Sequence, residues 1–270
     1  MLPDELMIVR NVPMGENIRL MPLSDVHVGS KEFDEVLFRE WKNSLKPTDL
    51  VVIVGDMINN SIKSSVGNIY EETMMPSAQK EWIYNELKDI APQILCAVGG
   101  NHERRSVREV DDDPLYAVMC RLKREDVYRS GACFCKVRFG GGTDRTKITS
   151  RNRPVYNIAV LHGASNGMYM STSGAKTERF AMSIANCDLL ISGHTHKPLS
   201  FFPSHIYFPD TNVPNMSKRQ TTVVICSSMM NRIGGYALEK MLPATSNVQQ
   251  EILLTANGKG IKVTQSMGGE

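Results

Sequence analysis

The run "DLVVIVGD", residues 49–56, sets five apolar residues between one aspartate and a Gly-Asp pair. A run that is short, rich in β-branched residues and closed by glycine predicts a strand buried on both faces rather than a helix. The same arrangement returns in "IRLMPLSD" (18–25), "PQILCAVGGNH" (92–102), "VYNIAVLHG" (155–163) and "CDLLISGH" (187–194). Each of these runs has Asp, Asn or His at its end or next to it.

The stretches between the runs have helical spacing. "FDEVLFREWKNSL" (33–45) puts Phe33, Val36, Leu37, Trp41 and Leu45 on one face, and "SAQKEWIYNELKDI" (77–90) is expected to be capped by Ser77 after Pro76. "DPLYAVMCRLKRE" (113–125) and "GAKTERFAMSIAN" (174–186) are two more helices. "VYRSGACFCKVRF" begins a hairpin whose loop, "GGGTDRTKITSRNR", carries Arg145, Lys147, Arg151 and Arg153 as a solvated turn. The tail segments "HIYF", "TTVVIC", "YALEKML", "QEILLTA" and "GIKVTQS" predict successive strands of a mostly antiparallel sheet. Alternating strands and helices predict an α/β fold. With no repeat, linker or low-complexity tail, residues 1–270 are expected to form one domain.

Composition narrows the function classes only slightly. Apolar residues make up 41% of the 270 and charged residues 22%, as in an ordinary soluble protein. A formal net charge of +2 is too mild to indicate a nucleic-acid partner. "MLPDELMIVR" has acids where a secretory leader needs bases, and no run approaches the roughly 20 apolar residues of a membrane span. A cytoplasmic protein without a membrane partner is expected. Six cysteines without a C-x-x-C pair read as reduced, mostly buried thiols, with Cys133 and Cys135 alternating on one strand face.

The ends of the predicted strands hold the chemistry. They supply Asp25 and His27, Asp56, Asn101 and His102, His162, and His194 and His196; five of the six histidines stand there, and only His205 does not. In α/β sheets the ligand crevice lies just past the carboxyl ends of the strands. One Asp or His after a strand is an ordinary turn former. A set of five such placements indicates a site. Imidazole nitrogen with carboxylate and amide oxygen, and no thiolate, suits manganese, iron, zinc, cobalt or nickel in open coordination. Asp25 and His27 can hold one ion with His196. Asn101, His162 and His194 can hold a second, with the two oxygens of Asp56 bridging. Paired ions about 3.5–4 Å apart generate a hydroxide at neutral pH and clamp phosphoryl oxygens.

The ordered series D-x-H, G-D, G-N-H-E, H-G, G-H-T-H over residues 18–200 resembles the calcineurin-like metallophosphoesterases. The resemblance implies a four-layer α/β/β/α sandwich of two mixed sheets with flanking helices. It assigns Asp25, His27, Asp56 and His196 to one divalent ion, manganese preferred, and Asp56, Asn101, His162 and His194 to the other. His102 becomes the outer histidine, which donates to the leaving oxygen or stabilises the charged phosphorane, and Asn101 stands beside it in the catalytic pair. Asn59 stands where many members carry Asp or His, so His102 is expected to titrate near its ordinary pKa. Asn59, Arg104 and Arg105 are expected to contact substrate. "GDMINN" lacks the D-R of the phosphoprotein-phosphatase signature GD-x-x-D-R. A phosphodiesterase is therefore expected, with DNA or a nucleotide as partner. The alternatives are a phosphomonoesterase and, with the ligand set intact, less favoured still, a non-catalytic scaffold.

Overall fold

The computed structural model describes residues 7–63, 65, 69–140, 153–164, 169–209, 216–231, 246 and 248–266. Among these residues, two six-stranded mixed sheets lie face to face. In spatial order the first holds β1 (Ile8–Val12), β6 (Ala132–Phe139), β7 (Val155–Leu161), β8 (Leu189–Ser192), β12 (Thr222–Ile225) and β9 (Leu199–Phe201). The second holds β14 (Ile261–Ser266), β13 (Gln249–Leu254), β2 (Ile18–Leu23), β3 (Leu50–Ile53), β4 (Ile94–Val98) and β5 (Tyr128–Arg129). A separate ribbon pairs β10 (Ser204–Tyr207) with β11 (Ser217–Gln220).

Strands β2, β3 and β4 run parallel, as do β7 and β8, so their carboxyl ends are brought to one rim. Alternation along each strand divides the apolar side chains between two layers. Leu20, Val52, Cys96, Val137, Tyr156, Val160, Ile191 and Ile252 fill the space between the sheets. Met21, Leu23, Val51 and Ile53 face outward onto Phe38, Trp41, Ile83, Leu87 and Val118 of α1 (Glu35–Asn43), α2 (Pro76–Leu87) and α4 (Pro114–Arg121). On the other side Ala159, Leu190 and Val223 meet Ala181 of α5 (Met170–Met182). The layers are those of an α/β/β/α sandwich. Cys133 and Cys135 share the inward face of β6, their sulfurs 3.6 Å apart, beside Cys96. All six thiols are free, and only Cys120 is exposed.

Several local expectations are corrected. Helix α2 begins at Pro76 with Met75 as an N-cap that makes no side-chain bond, so Ser77 lies inside the first turn. Proline at the first helical position has no N–H to satisfy and its fixed φ presets the first turn, so the helix starts there rather than after Ser77. Val36 is 69% exposed, and Phe38 takes the inward place on α1. Helix α5 starts four residues before Gly174. The stretch 127–139 divides between both sheets, β5 joining β4 while β6 forms the expected hairpin with β7. The tail strands are shared among β12 of the first sheet, β13–β14 of the second and the ribbon, rather than forming one sheet. The sequence reading missed β1 and the helix α3 (Glu103–Val110). The basic turn at Arg145, Lys147 and Arg151 and the segment "YALEKML" lie outside the described residues.

Candidate metal centre

The loop after each parallel strand copies its neighbour. Asp25 N–H donates to Gly55 O and His27 N–H to Asp56 O, both at 3.0 Å, extending the β2–β3 pairing past the strand ends. Side chains from these loops must nevertheless converge on one point, which a pleated strand does not allow. Asp25, His27, Asp56, His194 and His196 therefore take left-handed backbone conformations, with φ between 52° and 73°. Such conformations are uncommon outside glycine and gather at functional sites. Two glycines make room: a Cβ on Gly100 would lie 2.1 Å from Asp56 Oδ1, and one on Gly193 would lie 2.6 Å from Asp25 Oδ2.

All seven predicted ligand residues are brought together, in two groups that share Asp56. In the first, His196 Nε2 lies 3.0 Å from Asp25 Oδ1 and 3.2 Å from His27 Nε2, and His27 Nε2 lies 3.8 Å from Asp56 Oδ2. In the second, His162 Nε2 lies 3.1 Å from Asp56 Oδ2 and 3.0 Å from Asn101 Oδ1, with His194 Nδ1 2.7 Å from the same amide oxygen. Both groups face the single oxygen Oδ2 of Asp56. Its Oδ1 is turned away and accepts the backbone N–H of His102 at 2.8 Å.

These residues fit a cation. His162 Nδ1 donates to Val54 O at 2.7 Å, which makes Nε2 the nitrogen that can offer a lone pair to an ion. That lone pair points at a carboxylate oxygen and an amide oxygen, so acceptors face one another around one spot. Ligands about 2.1 Å from an ion in octahedral geometry are ~3 Å apart along each edge, the spacing found here. The same carboxylates draw positive charge to this spot: burial works against a charge on His162, yet Asp56 and Asp25 outweigh it and push its pKa up to about 10, so that a proton stands on Nε2 wherever no ion takes its place. Burial also opposes ionisation of Asp25, but His196 and His27 hold that carboxyl well below its ordinary value.

The expected supporting roles are rearranged. The Asn59 side chain turns away to Glu72 (2.5 Å) and Ser61. Its backbone carbonyl instead accepts His102 Nδ1–H at 2.7 Å and Arg105 Nη1–H at 3.0 Å. Arg105 Nη2 lies 2.9 Å from His102 Nε2 and donates to it. Burial, aided by His27 and Arg105, pushes His102 down to about 3 against the pull of Asp56, so it does not titrate near its ordinary value. Arg104 does not line the cavity over the ligand groups; it lines a second one beside it and donates to Ser130 O at 3.1 Å.

Glu103 was missed, although it is the fourth letter of G-N-H-E. It is 1% exposed and accepts from Asp56 N (3.0 Å), Met57 N (2.7 Å), Ile58 N (3.4 Å) and Gly100 N (2.9 Å). Burial and the nearby Asp56 push its carboxyl up to about 7, while the N–H donors act the other way. One carboxylate thus ties the loop after β3 to the loop after β4. The available signal was an acid at a helix start beside two glycines, where free N–H groups collect.

A family model described as calcineurin-like phosphoesterase matches residues 18–198, a span that contains every converging residue. No curated protein matches the chain.

Proposed function

The chain belongs to the calcineurin-like phosphoesterases, phosphoric ester hydrolases that use divalent metal ions, and we propose that it is a phosphodiesterase acting on DNA or a nucleotide diester. The observation that carries this reading is that the ligand groups stand where two cavities meet, of about 350 and 610 Å³, with Thr195 lining both. A diester needs space on two sides of its phosphorus. A monoester carries a single ester arm, so one of the two cavities would stand unused.

Asp25, His27, Asp56 and His196 would hold one ion and Asp56, Asn101, His162 and His194 the other, with manganese the proposed metal and iron, zinc, cobalt or nickel suited to the same donors. Bound there, the pair would supply a nucleophile from water at neutral pH and neutralise charge on the phosphoryl oxygens. The chain's own work is placement. Val54 O fixes the His162 tautomer, and Glu103 fixes the loop that carries Asp56. His102, anchored through Nδ1 on Asn59 O, carries no proton at Nε2 to give away. We assign it the task of holding the Arg105 guanidinium beside the phosphoryl group, where charge grows as the ester breaks.

The test is hydrolysis of bis(p-nitrophenyl) phosphate and of p-nitrophenyl phosphate by protein stripped with EDTA and then supplied with each metal. The diester should be turned over in preference, only with metal, and best with Mn²⁺. Preference for the monoester would overturn the diesterase reading, and full activity in excess EDTA with no bound ion would overturn the metal centre.

A further inference from the structure

The cavity of about 610 Å³ that opens beside the metal centre has a charge and a shape that the hydrolytic site alone does not require. Its inner wall is His162, Gly193 and Thr195. Its outer wall is one stripe of α5, where Lys176, Arg179, Phe180 and Ser183 fall at positions i, i+3, i+4 and i+7 and therefore on one helix face. Arg104, from α3, lines the cavity as well. Three cations line this cavity, and no acid does among the described residues. Leu161, Ala132 and Phe180 make part of the lining apolar.

The cavity over the ligand groups has the reverse character. Glu32, Glu71 and Glu72 line it together with Lys31 and Arg105. Lys31 is paired with Glu71 at 2.5 Å, and Arg105 is held by His102 and Asn59. A phosphate group is thus favoured on the α5 side of the scissile position and disfavoured on the other. Resting on the diesterase reading of the centre, we infer that the α5 cavity is an anion subsite for a second phosphate carried by only one arm of the substrate. The substrate class is a nucleotide chain cut one unit from an end, with the phosphate-bearing arm along α5 and a short uncharged arm toward Glu72. Lys176 and Arg179 bind that phosphate, and Phe180 covers the sugar or base between the two phosphates.

The test compares three thymidine dinucleotides with Mn²⁺-loaded protein: one with a 5′-terminal phosphate, one with a 3′-terminal phosphate, and one with neither. One phosphorylated form should gain about tenfold in kcat/KM over the plain dinucleotide, as a charge-assisted contact supplies, and the other should gain nothing. In Lys176→Glu/Arg179→Glu that ratio should fall to about one, and in the unaltered protein it should shrink as salt rises. Equal gains for both forms, no gain for either, or a ratio that survives charge reversal would overturn the subsite. Binding of thymidine 3′,5′-bisphosphate against thymidine monophosphate separates the two readings. If no dinucleotide is cut but the bisphosphate binds about tenfold tighter, and only in the unaltered protein, the subsite stands and the diesterase reading falls. If the bisphosphate binds no tighter, the subsite falls by itself.

Discussion

A single atom, Asp56 Oδ2, is common to both ligand groups, and what keeps it there is a set of backbone N–H bonds rather than side-chain packing. His102 N takes Oδ1, and Glu103 takes the N–H groups of Asp56, Met57 and Ile58. Replacing Glu103 with Gln would turn an NH₂ group toward N–H donors. The expected cost is roughly 1–3 kcal/mol of stability, with weaker binding at both metal positions, read by thermal unfolding and by Mn²⁺ titration. Unchanged melting and two tight ions would mean that these loops are held by something else. At His102 the expected signature is a loss that ignores the leaving group. His102→Ala and Arg105→Ala should each slow nitrophenyl and alkyl diesters alike, by about 10²–10³-fold, the cost of one donor to a developing charge. A far larger loss on the alkyl ester would restore proton donation from His102. At this scale the sequence was most legible where it named ligand types and least where a main-chain atom acts. Asn59 was read by its amide, yet its carbonyl does the work, and residue identity says little about a carbonyl.

Tyr156 shows how single elements hold the two sheets together. Its ring is fully buried on β7 of the first sheet, and its hydroxyl donates to Thr255 O at 2.7 Å and accepts Gly260 N–H at 3.0 Å in the turn between β13 and β14 of the second. Tyr156→Phe keeps the ring and leaves these main-chain groups short of a partner. It should cost about 1–2 kcal/mol, seen as a lower Tm with metal stoichiometry intact; an unchanged Tm would show that water replaces the hydroxyl. The buried strands β2, β3, β4, β7 and β8 were legible because apolar runs closed by Gly and Asp leave few readings. β1 was not, because its middle residues are exposed and its place depends on parallel pairing with β6, more than 120 residues away in the chain. α3 was hidden because its sequence, "ERRSVREV", is almost wholly charged or polar and offers only Glu103 and Ser106 to the interior.

The whole molecule draws on residues well outside the motifs. The matched span ends at residue 198, but β8 is flanked by β12 and β2 by β13. Val223, Val224, Ile252 and Leu254 of these later strands are fully buried. A chain cut after residue 200 would carry every ligand and leave both sheets open. It should show neither a cooperative thermal transition nor two bound Mn²⁺ ions, and either of these would show that the tail is dispensable. Composition could not have revealed this dependence, since which sheet a strand joins is decided by pairing over long separations. Set out in time instead of space, the adjacency of β2 and β13 becomes a delay. The strand ending in Asp25 leaves the ribosome on the order of 10–50 s before its neighbour at typical synthesis rates. For that interval the growing chain carries an apolar strand with one unpaired edge, a surface that invites pairing with other chains. That edge is expected to stay open until the last strands emerge, and slow translation of the final quarter would lengthen the exposure.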